Sequence, residues 1–178
     1  LFVFKYANVN TVRDSLNGQM YHSKVERPAV QRDLLNKLGD SIHVFRLQGF
    51  IFFGTSNSIL SRVREILEDK AHKESFIVLD FHRVNNLDSS AVSSFVRMRQ
   101  MADLHDIYLV LTQVSPLMRR QMEQGGFVGD QRVQFFPSLD YGMEWCENML
   151  LLKNEASTQF ISTSLASQLK RNFPHPEL

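Results

Sequence analysis

The sequence predicts an α/β fold, with a mixed, mostly parallel β-sheet entered through a hairpin and flanked by helices. Three observations carry that expectation. From residue 42 onward, short apolar runs alternate with stretches whose apolar residues recur at helical spacing. The connections between them are short, which favours strands joined by crossover helices. Residues that start or stop helices, such as Ser115-Pro116 and Gly125-Gly126, stand at the junctions. The expected order over residues 42–152 is β-β-α-β-α-β-α-β-α.

Residues 1–41 read as a polar lead-in with one short strand, Leu1 to Tyr6, punctuated by Asn8, Asn10, Asn17 and Gly18. A short helix over 30–37 follows Pro28, and Gly39-Asp40 turns the chain. Residues 42–47 alternate as a half-buried strand does. Gln48-Gly49 then turns into a second apolar strand over 50–53, so an antiparallel hairpin is expected. Gly54-Thr55-Ser56-Asn57 carries helix-capping side chains, and the helix is expected to reach about Asp69 on a stripe of Ile59, Leu60, Val63, Ile66 and Leu67.

Residues 76–81 are apolar except for Asp80, the pattern of a central strand covered on both faces. A loop over 85–90 leads into a helix over 91–104, with Val92, Phe95, Val96 and Ala102 on its inner side. Residues 107–112 form the next buried strand, expected beside 76–81. Ser115-Pro116 opens a third helix with proline at its tolerated first position, and Gly125-Gly126 closes it. Residues 133–136 read as an edge strand, and Ser138 or Asp140 caps a fourth helix running to about Leu152. Residues 153–178 are rich in Ser, Thr and Gln. They read as a polar extension or linker with a short helix over 164–171.

Composition narrows the function classes. A length of 178 residues suits one domain with extensions. A formal net charge of +1, with scattered basic residues, does not supply the basic face that nucleic acid requires. The single cysteine, Cys146, excludes an internal disulfide and a cysteine-cluster metal site. It lies beside Trp145 and reads as core, as do Phe52, Phe53, Phe95 and Phe135. The six histidines lack metal-ligand spacing, so no metal is expected. No Gly-rich Lys-Ser/Thr phosphate loop and no Gly-x-Ser-x-Gly elbow is present, so neither an NTPase nor a serine hydrolase is expected, and no cofactor. No run reaches the roughly 20 apolar residues that span a bilayer. The chain begins with Leu, and the expectation is a piece of a longer protein whose remainder holds membrane spans.

The stretch FIVLDFHRVNNLDSSAVSSFV, residues 76–96, resembles the core signature of STAS domains, the module of sulfate transporters and anti-sigma-factor antagonists. LQGFIFFGTSNSI, residues 47–59, resembles the corresponding stretch of SulP-type anion transporters, as do VLTQVSPLMRRQMEQGGF and FFPSLDYGMEWCENML. The resemblance covers residues 42–152. The lead-in VRDSLNGQMYHSKVERP is similar to SulP proteins with a further C-terminal domain, often a cyclic-nucleotide-binding one. It implies a cytosolic regulatory domain of a transporter for inorganic anions such as sulfate or bicarbonate, in a plasma or inner membrane. Its partners would be the transmembrane part of the same polypeptide, cytosolic regulators and a second copy. The alternative it implies is a soluble anti-sigma-factor antagonist switched by serine phosphorylation. Many antagonists carry Gly after Asp-Ser-Ser, whereas this chain has Ala91.

Two candidate sites follow. Asp88-Ser89-Ser90 is the sharper. The resemblance implies a phosphoacceptor at Ser89, with Ser90 second. A phosphate there would meet the free N–H groups of a helix start, and the plain alternative is that Asp88 or Ser89 caps the helix. The second site is Thr55, Ser56 and Asn57, where a polar helix start offers contacts to an anion or nucleotide, or again a cap.

Overall fold

The computed structural model describes residues 11–68 and 76–172, with side chains described to Glu155. The expected strand over residues 1–6 lies outside the described residues. The elements are β1 (Val12–Asn17), α1 (Ala29–Leu38), β2 (Ile42–Ile51), α2 (Phe53–Glu68), β3 (Phe76–Leu87), α3 (Ser89–His105), β4 (Tyr108–Thr112), α4 (Pro116–Gln124), β5 (Val133–Phe136) and α5 (Leu139–Asn172). The strands form one sheet in the order β1-β2-β3-β4-β5. The β1–β2 pair is antiparallel and the other three pairs are parallel. The sheet is therefore mixed, with β3 at its centre and β4 beside it, as their apolar runs predict.

Alternation along the strands sorts the core into two layers. Phe45, Leu47, Ile77, Leu79, Phe81 and Leu111 face the helices α2 and α3, which bring Ile59, Leu60, Val63, Val92, Phe95 and Met98. Ile42, Val44, Phe76, Val78 and Val110 face α1 and α5, which bring Leu35, Leu139, Met143, Cys146 and Leu150. Each such side chain stabilises the fold by roughly 1.5–3 kcal/mol on full burial. Burial pushes the Cys146 thiol far above its ordinary pKa, and the neighbouring Glu147 carboxylate adds to the shift. The expected core role holds for Phe95 and fails for Phe53, which is 53% exposed.

The expected hairpin over residues 42–53 is absent. Residues 42–51 form one strand that pairs with β3 through Gln48↔Arg83, Gly49↔Val84 and Ile51↔Leu87. Gly49 takes a positive φ of 77°, but it does so in a β-bulge, where the register shifts between Gly49 and Phe50. The same left-handed conformation serves a turn or a bulge, and the sequence does not distinguish them. The antiparallel partner is β1, in the lead-in. Its Arg13, Asp14, Ser15 and Asn17 hide the strand from a search for apolar runs.

Two further boundaries move. Asn85 and Asn86 belong to β3, where Asn86 Oδ1 accepts from the Leu87 N–H at 2.8 Å. The fourth predicted helix, α5, continues to Asn172 instead of stopping near Leu152, and takes in the short helix expected over 164–171. No Gly or Pro lies between Met143 and Asn172, and Ser and Thr weaken a helix without breaking it. Ser138 is its cap, accepting from the Tyr141 N–H at 3.3 Å. Asp140 instead accepts from the Lys24 N–H at 2.9 Å.

The buried Glu147 carboxylate accepts from the Ser23 N–H at 2.9 Å and from Arg27 Nε at 3.1 Å. These bonds strap the lead-in onto α5. Ser115 caps α4 by accepting from the Met118 N–H at 3.3 Å. At its end the left-handed residue is Gly126, with φ 89°. Among the described residues no helix is long and apolar enough to cross a membrane.

Candidate functional site

The long central strands β2 and β3 outrun β4, whose last partner on β3 is Asp80. Beyond that point β2 and β3 continue as a pair to Ile51↔Leu87 and then break into α2 and α3. The two helices therefore start side by side at one end of the sheet, held there by the Asp88 N–H donating to the Ile51 carbonyl at 2.8 Å.

At the start of α3 the cap is Asp88. It has extended backbone angles, and its Oδ1 accepts from the Ser90 N–H at 2.6 Å. Ser89 is thus the first helical residue and not the cap. The Ser90 N–H, then the Ser90 and Ser89 hydroxyls, hold the Asp88 carboxyl below its ordinary value of 3.8. Ser90 Oγ also accepts from the Phe53 N–H of α2 at 3.3 Å, which ties one helix start to the other. Ser89 and Ser90 are both exposed. A phosphate on Ser89 would join the N-terminal end of a helix of 17 residues, where its charge is favoured.

The start of α2 is organised differently. The helix begins at Phe53, two residues before Thr55, so the expected capping stretch lies within its first turn. Thr55 Oγ1 accepts from the Phe52 N–H at 2.9 Å and donates to the Phe52 carbonyl at 3.0 Å. The acceptor half is the back-bond of a capping box. Ser56 Oγ donates to the Phe53 carbonyl and lies 3.0 Å from Ser94 Oγ of α3. Thr55 and Ser56 are buried, and Asn57 is exposed. The structure therefore brings Ser56 and Ser90 into one inter-helix contact zone but gives the two helix starts opposite characters.

Phe50 and Phe53, 46% and 53% exposed, flank these starts, and Phe50 stacks with Phe52 at a centroid distance of 6.3 Å. Sequence reading missed this aromatic surface. An apolar FIFF run looks like buried strand, and only the change from strand to helix at Phe53 turns that ring outward. Among the described residues no group of His, Cys, Asp and Glu is placed to hold a metal ion.

The sequence pattern of the STAS domain family matches residues 34–141. The vacuolar basic amino acid transporter VSB1 of Saccharomyces cerevisiae is 29% identical over 161 residues, covering 85% of this chain. The match takes in 15% of that transporter's length. Among solved structures, RsbS of Moorella thermoacetica superposes with a TM-score of 0.50 at 15% identity, over 63% of this chain and 92% of that one. A sulfate transporter family protein from Wolinella succinogenes gives a TM-score of 0.49 at 20% identity, over 62% and 88% of the two chains.

Proposed function

The chain belongs to the STAS domain family, and we propose that it is the cytosolic regulatory and interaction domain of a membrane transporter, without catalytic activity of its own. The observation that carries this reading is the 161-residue likeness to a transporter, which reaches beyond the 34–141 family match at one end of the chain or both. The domain would act on transport by binding partners, among them the transmembrane part of its own polypeptide and a second copy. The outward-turned start of α3 supports a regulatory surface there. Asp88 secures the helix, so Ser89 is left to take a phosphate without loss of the cap.

Two substrate classes are in play. The SulP-like motifs favour an inorganic anion such as sulfate or bicarbonate. The printed name of the yeast relative favours a basic amino acid. The coding sequence upstream of Leu1 tests the transporter reading directly. A series of roughly 20-residue apolar segments there supports it. A start codon close to Leu1 would overturn it in favour of a soluble antagonist-type signalling protein. Uptake of labelled sulfate and labelled arginine by vesicles carrying the full-length protein then separates the two substrate classes.

A further inference from the structure

Where β1, β2 and β3 run side by side, β-bulges converge on one cleft. Between Val12↔Leu47 and Asp14↔Arg46, β1 holds one extra residue, Arg13. Between Arg46↔Asp80 and Gln48↔Arg83, β3 holds one extra residue, which lets the consecutive His82 and Arg83 both stand exposed. A bulge re-aims the side chains beside it. Here the result is a cleft of about 230 Å³ lined by Arg13, Arg46, Leu47, Asp80, His82 and Arg83.

Its charges are unequal. Asp14 lies 3.4 Å from Arg13 and 3.9 Å from Arg46, so one carboxylate serves two guanidinium groups. Asp80 forms the floor, 6% exposed. Its Oδ1 accepts from Thr112 Oγ1 at 3.0 Å and from the His82 N–H at 3.3 Å. Arg83 has no ion pair among the described residues. Three guanidinium groups and an imidazole thus face two carboxylates, one shared and one buried.

We propose that this cleft binds a small phosphate-bearing molecule, with Arg83 and Arg46 gripping the oxyanion and Arg13 closing over it from β1. Guanidinium groups match phosphate oxygens in pairs. The concave shape and small volume fit one phosphoryl group with its immediate attachments, rather than a peptide or a flat bilayer surface. The site is separate from the α3 start and stands whether or not Ser89 is a phosphoacceptor.

Inorganic pyrophosphate titrated into the 178-residue chain tests this, followed by backbone amide shifts and calorimetry. The expected result is saturable binding, with the largest shifts at Arg13, Gln48, His82 and Arg83. Arg83→Gln and Arg13→Gln, at exposed positions, should each weaken it about tenfold by removing a charge-assisted contact. Arg46→Gln is a further test, and Arg64→Gln on the exposed side of α2 should change nothing. Amide spectra of the variants confirm that the fold survives. The proposal is overturned by no saturable shift at these residues, by equal weakening by Arg64→Gln, or by binding to phosphatidylserine vesicles without binding to pyrophosphate. Shifts centred on Thr55 to Asn57 would overturn it as well.

Discussion

The starts of α2 and α3 lie side by side at the same end of the sheet, yet one is turned inward and the other outward. At α2 the hydroxyls of Thr55 and Ser56 are buried and bonded within the chain. At α3 the hydroxyls of Ser89 and Ser90 stand at the surface beside a carboxylate cap. Both stretches look alike in sequence, as runs of small polar residues after an apolar strand. The difference arises one residue at a time. Phe53 begins α2 before its polar residues, so they occupy its first turn, where Ser56 meets Ser94 of α3. Asp88 follows the end of β3 and caps α3, so the serines of its first turn stay exposed. Small polar residues therefore build a helix–helix seam in one place and an exposed surface in the other.

Substitutions at the two starts should separate these roles. The largest effect is expected at Ser56, which has no exposed surface and meets Ser94 at 3.0 Å. Ser56→Leu forces extra volume between α2 and α3 and should cost roughly 1–3 kcal/mol in denaturant unfolding. A neutral result would mean that the two helices are not closely packed there. Thr55→Ala removes both bonds to Phe52 and should cost about 1 kcal/mol, the usual value of a helix-start bond.

Asp88 should show its contribution as pH dependence. Its folded pKa is depressed, so its stabilisation is present above the ordinary carboxylate range and is lost as pH falls through the folded value. In Asp88→Asn, which still caps, the melting temperature should fall less between about pH 7 and about pH 3 than in the wild type. An identical fall in both proteins would remove Asp88 as the titrating cap. The smallest effect is expected for Ser89→Ala, within about 0.5 kcal/mol of wild type, as for exposed positions outside caps. A loss of twice that size would return the capping role to Ser89.

Much of the fold was legible because its signals are local. The apolar runs at 76–81 and 107–112, the Ser115-Pro116 start and the helical stripe of 59–67 each announce one element. The misplaced features depend on pairing or context. Gly49 bends a strand that continues because β3 continues beside it. Strand β1 is polar on its open side and becomes a strand by pairing with β2. Helix α5 has no breaker, and composition alone suggested a linker. At the candidate site, Asp88-Ser89-Ser90 was legible as a helix start, and which residue caps it was decided by the end of β3 at Leu87. The cleft of Arg13, Arg46, His82 and Arg83 was not legible, because its residues come from three strands and are brought together by β-bulges that leave no sequence signature.

The proposed role of the outward start of α3 is that of a control point for transport. The direct test is the initial uptake rate of vesicles carrying the full-length protein, with labelled arginine and labelled sulfate each offered as substrate. Wild type, Ser89→Ala and Ser89→Asp are compared after melting curves show all three folded. The account predicts that Ser89→Asp shifts the rate several-fold while Ser89→Ala stays close to wild type. Equal rates for all three, with clear uptake of either substrate, would contradict it and leave Asp88-Ser89-Ser90 as a helix start and nothing more.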